Sequence, residues 1–204
     1  MEVKNRVLAS LVAAAFVLWF ITFYVEAGNF WLKIGVSVFL LASSVLVFKP
    51  SLRKPEWKNI DILWGVGSAA VLYGVFWAGN EVCCLLFSFA PDQVGSIYDK
   101  GTGTPSWSIV LLLLLVTGPG EEIFWRGFLQ GELAARWGGF WGFVVAAALY
   151  ALVHVSSFNF MLIGAAGVAG GFWGLMYWRL GRLWPLIISH SLWSAYIFAM
   201  APIR

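Results

Sequence analysis

Charged residues are scarce in this chain. Asp, Glu, Lys and Arg make up 11% of the 204 residues, whereas 61% are hydrophobic. Soluble domains have about 25% charged residues and less than half apolar ones. The composition therefore excludes a soluble enzyme and predicts one membrane domain over residues 1–204, with the lipid bilayer as a partner. The net charge of +3 comes from basic loops and gives no indication of nucleic acid.

Cysteine and histidine are also rare. The two cysteines, Cys83 and Cys84, are adjacent in an apolar segment, and neighbouring cysteines seldom bridge each other. No disulfide framework is therefore expected. The chain has only two histidines, His154 and His190, and both lie in apolar segments.

Missing motifs exclude several protease designs. The chain has no HExxH sequence, which removes the usual zinc-binding helix. Asp61 lies at the edge of an apolar segment and no aspartate lies deeper, so a two-aspartate mechanism is not expected. Ser189, Ser191 and Ser194 surround His190, but none has the flanking glycines that mark many serine nucleophiles.

Long apolar runs predict an all-α fold, a polytopic transmembrane helical bundle. About 20 helical residues cross a bilayer, and backbone groups in lipid must bond within the helix. About seven helices are expected, within a range of six to eight. Their predicted spans are 7–25, 30–48, 60–89, 106–135, 138–157, 160–178 and 183–200. A polar loop over 91–106 precedes the fourth helix, and Gly118-Pro119-Gly120 is expected to interrupt that helix.

The basic residues favour a cytoplasmic N-terminus, because cytoplasmic loops carry an excess of Lys and Arg. In that orientation nine basic residues lie inside: Lys4, Arg6, Lys49, Arg53, Lys54, Lys58, Arg136, Arg179 and Arg182. Three lie outside: Lys33, Lys100 and Arg204. A small chain with this bias and no organelle signal indicates a prokaryotic inner membrane.

The sequence TGPGEEIFWRGF (117–128) places three charges directly after an apolar run. An ionised group at the bilayer centre costs about 2.5–3.5 kcal/mol on insertion scales, so each charge needs a partner or a function. Glu122 and Arg126 are four residues apart and can pair on one helix face. Glu121 points about 100° away around the helix and is left as an unpaired carboxylate, which makes it a candidate functional group.

A carboxylate with two imidazoles can activate a water by general base catalysis and stabilise an oxyanion. Glu121, His154 and His190 are therefore candidate catalytic residues. The same three groups could hold a divalent metal such as zinc, so metal-free and metal-dependent mechanisms both stay open. Arg126 favours the metal-free mechanism because its charge repels a dication, although pairing with Glu122 offsets this effect.

Three motifs resemble those of a known family, the CAAX-processing and bacteriocin-protection (CPBP, or Abi) intramembrane proteases. The segment EEIFWR (121–126) matches the EExxxR signature of that family. YALVH (150–154) resembles its second motif, FxxxH, with tyrosine in place of phenylalanine. HSLWS (190–194) resembles the third, a histidine followed four residues later by asparagine or a similar polar residue. The similar region covers 105–200, which is predicted to be a CPBP-like catalytic core.

The resemblance implies a role for each matched position. Glu121, with His154, would activate the attacking water. His190 would stabilise the oxyanion, or serve as a ligand if a metal is present. Glu122 and Arg126 would maintain the geometry of the site.

Tyr150 and Ser194 complete the matched set as supporting residues. In the eukaryotic prenyl-protein proteases an asparagine takes the position of Ser194. The shorter serine hydroxyl can still donate a hydrogen bond, but it reaches less far, which puts its part in oxyanion stabilisation in question.

The expected function is that of an intramembrane endopeptidase with a membrane-associated polypeptide as its substrate. That substrate could be a prenylated C-terminus, a peptide toxin or leader, or a C-terminal sorting tail. A prokaryotic membrane makes a prenylated substrate less expected. The alternative is a non-catalytic scaffold, an immunity factor or a proton-linked carrier that uses the same buried charges. The two histidines favour the enzyme, because a scaffold needs only the Glu122–Arg126 pair.

Overall fold

The computed structural model describes residues 4–203 apart from the side chain of Arg53. Arg204, one of the three basic residues assigned to the outside, lies outside that range. All regular secondary structure in the described range is helical. Its helices are α1 (Asn5–Phe23), α2 (Phe30–Phe48), α3 (Ile60–Leu86), α4 (Ala90–Asp99), α5 (Ser106–Trp137), α6 (Gly139–Ser157), α7 (Phe160–Leu180) and α8 (Trp184–Ala199). A short 3₁₀ helix, Pro50–Arg53, precedes α3.

Six of these helices are long and apolar enough to cross a membrane: α1, α2, α3, α5, α6 and α7. Helix α8 has 16 residues, which gives about 24 Å of helix at about 1.5 Å per residue. Each of the seven predicted windows contains a helix, and the all-α transmembrane fold is confirmed.

Helix α4 forms where the sequence predicted a polar loop, so that prediction was wrong over most of 91–106. A proline in its first turn and an aspartate next to it favour a helix start. Val94, Ile97 and Tyr98 follow at helical spacing, and Val94 is buried. The overall polarity of the segment conceals this narrow apolar face.

Helix α5 continues through Gly118-Pro119-Gly120, and the predicted interruption was wrong. Two π-helical stretches flank the glycines and proline, Leu113–Thr117 before them and Glu122–Gln130 after them. Proline lacks an N–H group and its ring crowds the carbonyl four residues earlier. A wider π turn before the proline relieves that crowding, so the winding of the helix changes while the helix itself persists.

Gly118 and Gly120 bring α5 very close to two other helices. A Cβ on Gly118 would overlap Ser191 of α8, and a Cβ on Gly120 would overlap Val38 of α2. Glycine alone permits this approach of backbones. Helix α5 is thereby held between α2 and α8 at the turn that carries Glu121.

The two ends of the bundle differ in charge. At the end where α1 begins, called the N-terminal end, two ion pairs connect neighbouring segments: Lys49–Glu132 and Arg182–Asp61. Two of the cations assigned to the outside, Lys33 and Lys100, lie at the opposite end. There the Trp31 indole donates to the Lys100 backbone carbonyl (2.9 Å) and fixes the segment after α4. The uneven distribution agrees with the predicted topology, and which end faces the cytoplasm stays a prediction.

Candidate active site

Glu121, His154 and His190 line one cavity with a volume of about 140 Å³. Helix α5 supplies Glu121, the final 3₁₀ turn of α6 supplies His154, and α8 supplies His190. No more than 8% of any of the three is exposed. Residues from three separate helices therefore face one small, buried space.

Glu121 has a hydroxyl partner. The Tyr150 hydroxyl donates a hydrogen bond to Glu121 Oε2 (2.7 Å). Within residues 4–203, the ion pairs of the protein do not include Glu121. The carboxylate expected to be unpaired thus lacks a cation but has a donor, and that donor is the tyrosine that replaces the phenylalanine of the second motif.

Glu122 is the centre of a buried network. Its Oε1 accepts from Arg126 Nη1 (2.9 Å), which is the pair expected from the four-residue spacing, and it also contacts His190 Nδ1 (2.7 Å). The guanidinium of Arg126 donates to the Gly170 carbonyl (3.4 Å) and lies over the Tyr150 ring, 4.6 Å from its centroid. Because Glu122 and Arg126 are fully buried, their opposite charges are balanced within the protein.

The Glu122 contact determines how His190 is oriented. An ionised carboxylate only accepts hydrogen bonds, so Nδ1 of His190 carries a proton. The imidazole also stacks on the Trp173 ring, with centroids 3.9 Å apart and planes 14° from parallel. Trp173 is in turn fixed by donating to Ser189 Oγ (3.1 Å). This support leaves Nε2 of His190 as the ring nitrogen available to the cavity.

The contacts of His154 fix its tautomer. Trp19 Nε1 donates to His154 Nε2 (3.2 Å), and His154 Nδ1 lies 2.8 Å from the Tyr150 carbonyl oxygen. An indole only donates and a carbonyl only accepts, so His154 is neutral with its proton on Nδ1. Both of its nitrogens are engaged. The predicted part of His154 in water activation therefore requires Trp19 to release Nε2.

The sequence pattern gives no signal for Trp19. It is one of 13 tryptophans, and it lies 135 residues from His154 along the chain. Only the packing of α1 against the end of α6 brings the two together. Trp173, on whose ring His190 stacks, likewise lies on a separate helix, α7.

The remaining polar lining of the small cavity is provided by Thr117, Ser194 and Lys100. Ser194, whose supporting role stays a prediction, is 4% exposed. Lys100 follows α4 directly and is the cationic residue of this lining. Burial and then the nearby Lys33 ammonium lower the pKa of the Lys100 ammonium below its usual value.

A second cavity of about 410 Å³ adjoins the first at His154 and His190. Its walls are mainly apolar residues of α3 and α7. Val75 and Val168, which lie on these walls, are 44% and 47% exposed, so the cavity reaches the lipid-facing surface. An apolar chain can therefore approach the histidines from the side of the bundle.

The arrangement does not fit the suggested metal set. No group of three or more His, Cys, Asp or Glu side chains within residues 4–203 is placed to hold a metal ion. Metal ligation needs a free lone pair on each imidazole. His154 has none, because Trp19 occupies Nε2 and Nδ1 carries the proton. Glu121, His154 and His190 share a cavity without converging on one point as ligands.

The all-α bundle thus places a buried glutamate and two histidines around one cavity. Residues 103–196 match the family model described as type II CAAX prenyl endopeptidase Rce1-like. This match confirms the resemblance to the CPBP family, whose members are proteases. No curated protein and no solved structure matches the chain significantly. The apolar helices together with this family make the chain an integral membrane protein.

Proposed function

We propose that this protein is an intramembrane endopeptidase in which Glu121 activates the attacking water. One observation carries the proposal: Glu121 is a buried carboxylate without an ion-pair partner among the described residues, and it faces the same cavity as both histidines. The burial of such a charge is costly, and an ionisable residue kept inside a membrane protein at that cost is by default a candidate functional residue. The matched family supplies the reaction class.

In the proposed reaction a water binds in the small cavity beside Glu121. Glu121 accepts a proton from this water while the oxygen attacks the carbonyl carbon of the peptide bond. Protonated His190, held by Glu122 through Nδ1, donates from Nε2 to the oxyanion. Glu121 then gives its proton to the amide nitrogen as the C–N bond breaks, which leaves a new carboxyl group and a new amine.

The other matched residues act through these two. Tyr150 donates to one oxygen of Glu121 and leaves the other for water. Arg126 balances the charge of Glu122, so that Glu122 can hold His190 in place. His154 joins the water when its Nε2 is released by Trp19, and Ser194 supports the oxyanion from the same cavity.

The proposed substrate is a membrane-associated polypeptide that enters from the lipid through the larger cavity. CAAX-type C-terminal processing follows from the family description, and a leader or sorting tail meets the same geometric requirement. The excess of Lys and Arg at the N-terminal end supports a cytoplasmic position for that end. The small size of the chain, taken with this charge bias, is the basis on which a prokaryotic inner membrane is proposed.

The test is cleavage of a panel of fluorogenic, membrane-anchored peptides by the purified protein in liposomes. The wild type should cleave at least one peptide, and Glu121→Gln should lose this activity. Glu81→Gln is the matched control, because Glu81 is a glutamate of spanning helix α3 that does not line either cavity. Equal activity of wild type and Glu121→Gln would contradict the proposed mechanism.

A parallel sample with excess chelator tests the metal-free form of the mechanism. Because the three predicted ligands do not converge on one point, we expect cleavage to persist at an unchanged rate. Loss of cleavage in chelator, with recovery on added zinc, would instead show that a metal takes part.

A further inference from the structure

One lysine in the wall of the small cavity, Lys100, has no role in the mechanism above. Lys100 lines the same cavity as Glu121, His154 and His190. It is the only Lys or Arg that does so among the described residues. A cation in the wall of a substrate cavity indicates that an anionic group binds there.

The ammonium of Lys100 lies beside two aromatic rings. Its Nζ lies 5.1 Å from the centroid of the Phe30 ring and 6.0 Å from that of Phe23, and the Trp31 bond to its carbonyl fixes the backbone. Within residues 4–203 no carboxylate forms an ion pair with it. A partly buried ammonium between aromatic rings gains more from an anionic partner than an exposed one does.

The dimensions of the two cavities suggest where the two parts of a substrate lie. The larger cavity is apolar and reaches lipid, so it suits the membrane-anchored part. The small cavity has a volume of about 140 Å³. Typical ligand pockets measure about 300–1,000 Å³, so the small cavity suits only the short end of a polypeptide. His154 and His190 line both cavities and mark their junction, and Glu121 lines the small one. A polypeptide lying across that junction would direct its C-terminus toward Lys100.

We propose that Lys100 binds the C-terminal carboxylate of the substrate and thereby selects polypeptides whose free C-terminus lies close to the bond that is cut. This inference rests on the proposed endopeptidase function. The ammonium holds the terminal carboxylate away from Glu121, whose negative charge would otherwise repel it.

The chemistry predicts a large effect of blocking the substrate terminus. Two membrane-anchored peptides of one sequence would be compared, one ending in a free carboxylate and the other in an amide. A hydrogen bond between charged groups is worth about 10- to 100-fold in binding. Wild type should prefer the carboxylate peptide by that factor in kcat/KM, mainly through KM. Lys100→Gln should reduce the preference to within about threefold, whereas Lys100→Arg should keep most of it.

The matched control is Lys33→Gln. Lys33 lies at the same end, but its ammonium bonds to the Val25 carbonyl and does not line the cavity. The Lys33→Gln variant should therefore keep the wild-type preference for the carboxylate peptide over the amide peptide. Equal cleavage of the two peptides by the wild type would overturn the inference, as would a preference that survives in Lys100→Gln.

Binding separates this inference from the proposed function. The same peptide pair, carrying a fluorophore, would be titrated against the Glu121→Gln variant in liposomes with and without anionic lipid. The carboxylate peptide should bind more tightly than the amide peptide, and the added Lys100→Gln change should abolish this difference. That result would support the contact between Lys100 and the terminal carboxylate even if no cleavage is seen. A Lys100→Gln effect that depends on anionic lipid and not on the peptide terminus would overturn it and assign Lys100 to a lipid headgroup.

Discussion

Two clusters of charged side chains are buried in this bundle, and they are built differently. At the N-terminal end each buried carboxylate is matched by cations: Glu132 pairs with Lys49 and Arg136, and Asp61 pairs with Arg182. The cavity cluster has two carboxylates but one arginine. Glu122 takes Arg126, and Glu121 has only the hydroxyl of Tyr150.

The difference separates a cluster that packing explains from one for which we propose a catalytic function. Cations around a carboxylate lower the cost of burying it, and the resulting ion pairs connect neighbouring helices. Packing alone therefore explains the N-terminal cluster. A buried carboxylate without a cation gains little stability for the fold. Substitutions in the N-terminal cluster should therefore lower thermal stability and leave activity nearly unchanged, whereas substitutions in the cavity cluster should lower activity. The expected effects follow from the largest change in activity to the smallest.

Glu121→Gln should give the largest loss of activity. Removal of the base should lower kcat by about 10²- to 10⁴-fold, the range attributed to general acid–base catalysis. Because an amide can keep the bond from Tyr150 and carries no charge to bury, Tm in detergent should stay the same or rise. A marked fall in Tm would show that Glu121 stabilises the fold and would remove the contrast between the clusters.

Glu122→Gln should lower both kcat and Tm. The change leaves the Arg126 charge buried without its carboxylate and weakens the contact that orients His190. We expect kcat to fall by about 10- to 100-fold and Tm to fall as well. The double variant Glu122→Gln/Arg126→Met removes the unpaired charge, so it should recover Tm without recovering kcat. Recovery of kcat would contradict the positioning role of Glu122.

Tyr150→Phe should have a smaller effect. It removes the hydrogen bond to Glu121 Oε2 and restores the phenylalanine typical of the second motif. The loss of one hydrogen bond to a charged group predicts a fall in kcat of about 10-fold, with KM little changed. The pH–rate profile should shift, since that bond favours the ionised carboxylate. An unchanged profile would show that Tyr150 does not influence Glu121.

Glu132→Gln should leave the activity of the folded protein within about twofold of wild type. Its effect should fall on stability, because Lys49 and Arg136 lose the carboxylate between them. These two cations are partly exposed, so we expect a loss of about 1–3 kcal/mol, measured as a fall in Tm. Activity lost while Tm is retained would mean that the N-terminal cluster also serves catalysis.

The positions of the helices could largely be predicted from the sequence, because the requirement for apolar length in a bilayer is strong and local. The winding within α5 could not. A π turn depends on how Pro119 and its neighbouring glycines pack against α2 and α8, which no short window of sequence encodes. Helix α4 was not predicted because its apolar face contains few residues.

The candidate site shows the same limit. The Glu122–Arg126 pair could be predicted, since both residues are on one helix and four residues apart. The bonds from Tyr150 to Glu121 and from Trp19 to His154 could not, because they join separate helices across 29 and 135 residues. Spacing rules apply within an element, whereas contacts between elements depend on their packing.

The indole of Trp19 also bears on how this protein can be divided. Helix α1 supplies that indole, Lys100 precedes α5, and neither lies within the matched segment 103–196. Under the proposed mechanism, the first half of the chain is therefore more than an interchangeable membrane anchor, and the matched segment alone is not a minimal module. Exchanging these helices between relatives would be expected to change selectivity while preserving the reaction, in the way that exchanging a variable loop does in soluble enzymes.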